Sequence, residues 1–98
     1  MTTTIDIEPG DEGRGRYALR VDGTFAGELT FRTDDRGRRV LVHTGVEEAF
    51  EGQGLAGQLA KRALDDARSE GTAIVPSCPY VQSYLERHPE YQDVVATD

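Results

Sequence analysis

The stretch VHTGVEEAFEGQGLAGQLAKRALDDAR, residues 42–68, decides the fold because its apolar pattern changes period in the middle. Its first five residues continue an alternating run that is typical of a strand. From Ala56 onward, apolar residues recur at intervals of three and four, which predicts an amphipathic helix capped by Gly71. Between strand and helix lies the glycine-rich turn Gly52-Gln53-Gly54-Leu55-Ala56-Gly57. The turn raises the question of which anion it binds.

Two familiar nucleotide-binding motifs share this glycine spacing but lack support in the flanking residues. A dinucleotide-binding turn follows its strand directly and is followed, after the next strand, by an acid. Here five residues (47–51) intervene before Gly52, and the next predicted strand ends in Val75-Pro76-Ser77. The strands upstream are predicted to be antiparallel, so we expect no βαβ unit around the turn. A P-loop needs Lys and then Ser or Thr after its last glycine, where this chain has Gln58-Leu59.

A third interpretation, a coenzyme A pyrophosphate loop, needs only what the turn supplies. The N-terminus of a helix presents backbone N–H groups and a positive dipole end, which bind phosphate without a charged side chain. Glycines allow the backbone to approach the anion closely, because they have no Cβ. The pattern therefore favours a phosphate-bearing ligand that is held by backbone atoms.

The rest of the chain predicts an α+β domain over residues 1–98. Residues 1–15 predict an edge strand at about 3–8 and a flexible loop, and Asp22-Gly23 predicts a type I′ hairpin between strands 16–21 and 24–33. A turn at 34–37 leads to strand 39–46, and residues 72–75 form a short buried strand after the long helix. A short C-terminal helix begins at Pro79, after Ser77 or Cys78 as cap, and ends before Pro89. The sheet is mostly antiparallel, with four to five strands.

Size and charge restrict the function further. The 98 residues suit one small domain, and 18 acidic against 11 basic residues give a net charge of -7. This balance argues against a nucleic-acid partner and mildly favours cationic partners such as amines. We expect a cytoplasmic protein without a membrane partner, because neither a bilayer-spanning run nor a signal peptide is evident. The single cysteine, Cys78, excludes an intrachain disulfide and a thiolate zinc cluster, and no metal site is expected.

The opening stretch and the tail PSCPYVQSYLERHPEY, residues 76–91, together resemble the GNAT superfamily of N-acetyltransferases, and in particular its small single-domain members. The GNAT loop reads Gln or Arg, two variable residues, Gly, one variable residue, then Gly or Ala. Here it runs from Glu51 to Ala56, and Glu51 departs from the pattern. The resemblance covers residues 16–95. It implies a minimal GNAT-like fold, acetyl-CoA (coenzyme A) as cofactor, and an amine as acceptor.

The resemblance also implies where the cofactor binds. Backbone amides of the loop would hold the pyrophosphate, and the strand before it would pair with the pantetheine arm. Many GNAT enzymes carry a proton-donating tyrosine in the last helix, and that position falls on Leu85 with Tyr84 beside it. The helical segment that helps to form the acceptor site in larger relatives is missing. The implied cofactor-binding residues are Thr44, Gly45, Val46, Glu51, Gly52, Gln53, Gly54, Leu55, Ala56, Gly57 and Tyr84.

Two residues are candidates for catalysis. His43 lies in the strand beside the expected pantetheine, and histidine is suited to proton transfer near neutral pH; the alternative is an ordinary strand histidine. Cys78 precedes a predicted helix, a position that favours a thiolate and permits an acetyl-cysteine intermediate; the alternative is a buried structural thiol. Because the two strands splay around the cofactor in GNAT folds, both residues are expected to face one thioester.

The sequence therefore predicts an acetyl-CoA-dependent N-acetyltransferase that acts on an unidentified amine. Two other classes of protein remain open at this point. One is a non-catalytic module that binds or senses acyl-CoA on the same scaffold. The other is a protein-interaction domain that keeps only the scaffold. Neither the acceptor nor the oligomeric state is indicated by the residues.

Overall fold

The computed structural model describes residues 2–97 and has an α+β architecture, with a five-stranded mixed sheet, one long helix and one short C-terminal helix. The predicted fold class is confirmed. In chain order the elements are β1 (Thr3–Pro9), β2 (Arg14–Val21), β3 (Thr24–Thr33), β4 (Arg39–Val46), a 3₁₀ turn (Glu48–Phe50), α1 (Leu55–Glu70), β5 (Ile74–Pro76), α2 (Pro79–Arg87) and a 3₁₀ segment (Pro89–Val94). No helix in this part of the chain is long and apolar enough to cross a membrane.

The first four strands form the predicted antiparallel meander. Asp22 and Gly23 have φ of 50° and 85°, as a type I′ turn requires. The expected flexible loop before β2 is instead a tight turn, because the Gly10 N–H donates to the Arg14 carbonyl at 2.7 Å. β1 and β2 are therefore joined by four residues, and no helix lies between them.

The last strand corrects one expectation from the sequence. β5 pairs parallel with the start of β4, from Arg39↔Ile74 to Leu41↔Pro76, so β4, α1 and β5 form a βαβ unit around the glycine turn. The prediction that no such unit exists is wrong, because α1 carries the chain back along the sheet before β5 begins. The argument against a dinucleotide site rests on the 3₁₀ turn that separates β4 from Gly52, and on Ser77, not an acid, after β5.

Both helices pack on the same face of the sheet, which we call the inner face; the opposite one is the outer face. The amphipathic pattern of α1 is realised, since its apolar stripe is buried against strand residues such as Tyr17, Leu19 and Leu29. Burying a leucine side chain contributes roughly 2 kcal/mol, which fixes the helix to the sheet. The buried residues of α1 are Leu55, Leu59, Ala60, Ala63, Leu64 and Ala67.

A bulge in β4 positions the functional site. The register between β3 and β4 shifts near Thr30, where Val42 is left without a partner. Leu41 is fully buried, whereas Val42 and His43 are both exposed. Two consecutive side chains therefore point to the outer face. Just before the bulge, the Leu41 carbonyl accepts hydrogen bonds from the N–H groups of Ser77 (3.1 Å) and Cys78 (2.9 Å), which ends the pairing with β5. Beyond Leu41, one edge of β4 is open.

Candidate functional site

The N-terminus of α1 presents a set of free hydrogen-bond donors. Gly54 is the N-cap, with φ of 76°, and no side chain caps the helix. The first intrahelical bond runs from the Gln58 N–H to the Gly54 carbonyl at 3.2 Å. The N–H groups of the first three helical residues, 55–57, thus have no acceptor within residues 2–97. Their donors and the helix dipole together favour an anion.

These donors border a cavity of about 190 Å³, which we call the loop cavity. A Cβ built on Gly57 would lie 3.4 Å from the Tyr80 hydroxyl, so the first turn of α1 directly faces α2. Across residues 2–97 that hydroxyl has no hydrogen-bond partner, which makes it a fourth available donor. The loop cavity is lined by Val46, Phe50, Glu51, Gly52, Gly54, Leu55, Ala56, Gly57 and Tyr80.

Most of the predicted loop residues therefore meet at one cavity, but not all of them. Gln53 is exposed and does not line the cavity. Glu51 lies at its rim with an exposed side chain, which leaves the carboxylate in solvent. Gly52, with φ of 82°, and Gly54 adopt the left-handed conformation, in which a side chain is strained. The positions of Gly52 and Gly54 are thus explained by backbone conformation, whereas a Cβ at Gly57 would make only ordinary packing contacts.

The open edge of β4 leads into the loop cavity. The N–H of Glu47 donates to the Ala26 carbonyl of β3 at 2.7 Å. Because successive residues of a strand direct their N–H and C=O groups to alternate sides, Thr44 and Val46 direct theirs away from β3, toward the open edge. Gly45 pairs with Glu28 and directs its backbone to β3. Of the three predicted strand residues, two can pair with an extended ligand.

Cys78 lies at the inner side of this edge. Its Sγ is 3.4 Å from the Thr44 Oγ1, and its side chain is 3% exposed. It is the N-cap residue of α2, as the sequence allowed, although no side-chain cap bond is made. The thiol is therefore both a core residue and a neighbour of the strand edge.

His43 lies on the opposite face of β4. A Cβ built on Gly45 would be 3.1 Å from the His43 Nε2, so the imidazole lies over Gly45 on the outer face. The structure does not bring His43 and Cys78 to one side, contrary to the expectation that both face the same thioester. The bulge is the reason, because it turns Val42 and His43 outward and Thr44 inward. The two residues instead flank the open edge from opposite faces.

Tyr84 is placed differently from Tyr80. Its ring stacks on His88 at 3.9 Å with an interplanar angle of 14°, and it is 7% exposed. Burial raises the pKa of Tyr84. It touches the site through its ring edge, which lies 3.8 Å from the built Cβ of Gly57, and it does not line the loop cavity. Leu85, the residue aligned with the proton-donating tyrosine, is buried.

The sequence interpretation did not assign two residues of the cavity, Tyr80 and Phe50. Tyr80 is spaced four residues from Tyr84 on one helix, a spacing that is typical of core packing and gives no sign of a binding role. The signal that favours a binding role is Gly57, since a glycine on the inward face of a helix allows a close neighbour. Phe50 carried no signal, because the 3₁₀ turn that directs it to the cavity was not predicted.

A comparison with known protein families shows which family has this sequence pattern. The model of GCN5-related N-acetyl-transferase matches residues 16–94. The chain belongs to this family. Proteins named NATD1 are similar: that of Mus musculus is 32% identical over 81 residues (81% of this chain, 73% of the mouse protein), and that of Xenopus tropicalis is 31% identical over 89 residues (90% of this chain, 81% of the frog protein).

Two solved structures have a similar fold. A GCN5-like putative N-acetyltransferase from Staphylococcus aureus has a TM-score of 0.69 at 28% identity, covering 95% of this chain and 89% of that one. A ribosomal-protein-alanine N-acetyltransferase from Brucella melitensis has a TM-score of 0.60 at 23% identity, covering 90% of this chain and 67% of that one. The latter supports the fold alone. The family generally uses acetyl-CoA as a co-substrate.

Proposed function

We propose that this chain transfers the acetyl group of acetyl-CoA to an amine. The observation that carries the proposal is the connection between the free donors of α1 and the open edge of β4. Both border the loop cavity, through Gly57 and Val46. An extended ligand with a charged diphosphate at one end fits this arrangement, because the diphosphate needs donors and the extended arm needs a strand edge.

The residues present suit the coenzyme A diphosphate without a cationic side chain. Three backbone N–H groups, of residues 55–57, and the Tyr80 hydroxyl are free to donate to phosphate oxygens. Glu51 does not oppose this binding, since its side chain is exposed at the rim. Backbone groups of Thr44 and Val46 would pair with the amide-containing arm. These residues bind and orient the thioester.

The reactive end of the arm would reach the stretch of β4 between Leu41 and Thr44. In the transfer, the amine nitrogen forms a bond to the acetyl carbon, the carbon–sulfur bond breaks, and the thiolate leaves and takes up the proton that the amine loses, by way of His43 and water. His43 would accept the proton that the amine loses, from the outer face. The inner face is filled by buried residues such as Leu59 and Val81, so the amine approaches from the outer face.

This geometry favours direct transfer over an acetyl-cysteine intermediate. Cys78 is nearly inaccessible on the inner side of β4, whereas His43 and the approaching amine lie on the outer side. An acetyl group on Cys78 would have to cross the strand edge to reach the amine. We therefore assign Cys78 to the wall of the thioester site, in contact with Thr44.

Calorimetric titration with coenzyme A, followed by thiol release from acetyl-CoA with a panel of amines, tests the proposal. We expect binding, and amine-dependent thiol release that falls about 10²–10⁴-fold in His43→Ala. His88→Ala is the matched control, since it removes the other histidine of the chain. Absence of coenzyme A binding refutes the proposal. Binding with no amine-dependent release by any amine of the panel supports a non-catalytic acyl-CoA module instead.

Intact-mass analysis separates the two chemical routes. With acetyl-CoA and no amine, direct transfer leaves the mass of the protein unchanged, and Cys78→Ala retains thiol release. A mass increase of one acetyl group that is absent from Cys78→Ala contradicts direct transfer and establishes the acetyl-cysteine route.

A further inference from the structure

Two arginines on the outer face have no partner among residues 2–97. Arg14 of β2 and Arg32 of β3 are directly opposite each other in the sheet register. Neither guanidinium makes a hydrogen bond, an ion pair or a ring contact with any residue between 2 and 97. Like charges directly opposite each other on adjacent strands are destabilising. This pair therefore calls for an explanation in a chain whose net charge is -7.

The other arginines of the outer face show how the chain neutralises such charges. Arg16 contacts Glu8 at 2.8 Å and Glu28 at 2.9 Å, and Arg20 contacts Glu8 at 3.1 Å. These ion pairs begin two residues along β2 from Arg14, at the next side chain on the outer face. The unpaired cations are thus a local exception on a face that otherwise balances its charge.

The two arginines border a hollow in the outer face. A cavity of about 480 Å³ lies between the strands there, within the range of small-molecule sites. A second hollow of about 350 Å³ adjoins it and shares Arg14, Gly15 and Thr30; its other lining residues are Glu8, Pro9, Gly10 and Arg16. The first cavity is lined by Arg14, Gly15, Thr30, Phe31, Arg32 and Val42. We call the two together the outer groove.

The outer groove adjoins the proposed transfer site. Val42 lines it and is next to His43 in the bulge, and the Thr30 hydroxyl donates to the His43 carbonyl at 3.4 Å. Arg32 is two residues from Thr30, which pairs with His43. With about 3.3 Å per residue and about 4.8 Å between strands, the Cα atoms of Arg32 and His43 are about 8 Å apart.

The outer face carries positive charge on one side of His43 and negative charge on the other. Beyond His43, away from the arginines, Glu47 borders a cavity of about 170 Å³ beside Gly45, next to Glu28, which is already paired with Arg16. A ligand with a positive and a negative end would therefore lie along β4 with its cationic end toward His43 and Glu47. Its anionic end would lie between Arg14 and Arg32.

We propose that the amine acceptor also carries an anionic group, a carboxylate or a phosphate, which Arg14 and Arg32 bind while the amine lies at His43. The inference rests on the proposed function and names the substrate class of the same site. Two guanidinium groups suit either anion, because both offer oxygens for paired, charge-assisted hydrogen bonds. The separation of His43 and Arg32 suits an acceptor whose amine and anion lie within roughly 10 Å of each other.

The test compares matched amines in the thiol-release assay. Hexylamine and ω-aminohexanoate differ by one terminal carboxylate, and ω-aminobutyl phosphate supplies the phosphate arm. We expect kcat/KM to be at least about tenfold higher for one or both anionic amines than for hexylamine. In the double variant Arg14→Gln and Arg32→Gln, the ratio of kcat/KM for the anionic amine to kcat/KM for hexylamine falls to about one, because KM for the anionic amine rises. Arg87→Gln, an exposed arginine of α2, controls for the loss of charge and keeps the wild-type ratio.

Two further measurements make the result decisive. Raising the salt concentration lowers the wild-type ratio, because exposed charges are screened. Chemical-shift titration of the protein with ω-aminohexanoate and with hexylamine tests the groove without turnover, so it separates this inference from the proposed function. Shifts of the Arg14 and Arg32 amides with the anionic amine, lost in the double variant, support the inference. Equal preference for hexylamine, or no shift at these residues, overturns it.

Discussion

Replacement of Gly57 by alanine should make the protein more stable and its cofactor affinity lower. Gly57 is the third residue of α1, and a Cβ built there meets only the Tyr80 hydroxyl at 3.4 Å and the Tyr84 ring at 3.8 Å. Both are ordinary packing distances, so the folded state accommodates the methyl group. Alanine is favoured over glycine in a helix by up to about 1 kcal/mol, and we expect a gain of about 0.5–1 kcal/mol in the free energy of unfolding.

The same methyl group lies where the diphosphate must approach. It separates the backbone N–H groups of the first turn from the Tyr80 hydroxyl across the loop cavity. We expect the Kd for coenzyme A to rise at least about tenfold, a loss of about 1.4 kcal/mol. Thermal denaturation should show a rise in Tm of about 2–8 °C for a chain of this size. Calorimetric titration measures the affinity of the same preparation.

Gly71→Ala is the matched control in the same helix and should give the opposite result. Gly71 has φ of 69°, and no atom lies within 4 Å of its built Cβ, so the cost arises from the backbone conformation alone. We expect a loss of about 1 kcal/mol in stability and an unchanged Kd for coenzyme A. If Gly57→Ala binds coenzyme A as wild type does, the diphosphate does not lie at this turn and the reasoning is refuted. A Gly57→Ala protein less stable than wild type refutes the packing argument.

Three further predictions follow from individual contacts. Tyr80→Phe should weaken coenzyme A binding several-fold by calorimetry with little change in stability, since it removes only a free donor; unchanged affinity would remove Tyr80 from the site. Tyr17→Phe should lower the free energy of unfolding in urea by about 1–2 kcal/mol, because it removes the hydrogen bond from the buried Tyr17 hydroxyl to Asp66 at 2.9 Å. Hydrogen bonds from Arg16, and next from Arg20, lower the pKa of Glu8. Glu8 therefore contributes to the stability of the folded state above its unfolded-state pKa, and this contribution is lost as the pH falls through the lowered folded pKa. Glu8→Gln should therefore reduce Tm at pH 7, and this reduction should disappear at a pH below the lowered folded pKa of Glu8, with Glu12→Gln as control; an equal reduction at both pH values would contradict the linkage.

Local chemistry made much of the fold predictable. The Asp22-Gly23 turn, the stripe of α1, the Gly71 cap and the Pro79 start are set by residues that act on their immediate neighbours, and each agrees with the structure. The parallel pairing of β5 was not predictable in the same way. A strand of three residues has too short a pattern to reveal its direction, and its pairing depends on where α1 delivers the chain. The 3₁₀ segment Pro89–Val94 was missed for the same reason, since the chain is held there by a tertiary contact, the bridge from Val95, the residue after the segment, to Ile74.

The glycine turn of the candidate site was predictable, because its backbone conformation requires glycine. The faces to which the side chains of β4 point were not predictable. Gly52 and Gly54 mark the loop cavity in the sequence, because each adopts a left-handed conformation that other residues oppose, and Gly57 leaves the cavity free of a side chain. The separation of His43 from Cys78 was not predictable. It depends on one extra residue in β4, and a bulge of one residue reverses every later side chain of a strand.

The arrangement divides binding between two kinds of group. On the inner side of β4, the cofactor would be held by backbone donors and one hydroxyl, so its recognition requires correct folding of the turn and few particular side chains. On the outer face, the acceptor would meet side chains alone: Arg14, Arg32 and His43. Because these three are exposed and contribute little to the core, they can be replaced without disturbing α1 or the loop cavity. Substitutions at the outer groove should therefore change which amine is acetylated while the affinity for coenzyme A stays constant. The two binding steps are then separable by mutation, as independent sites on opposite faces of one strand should be.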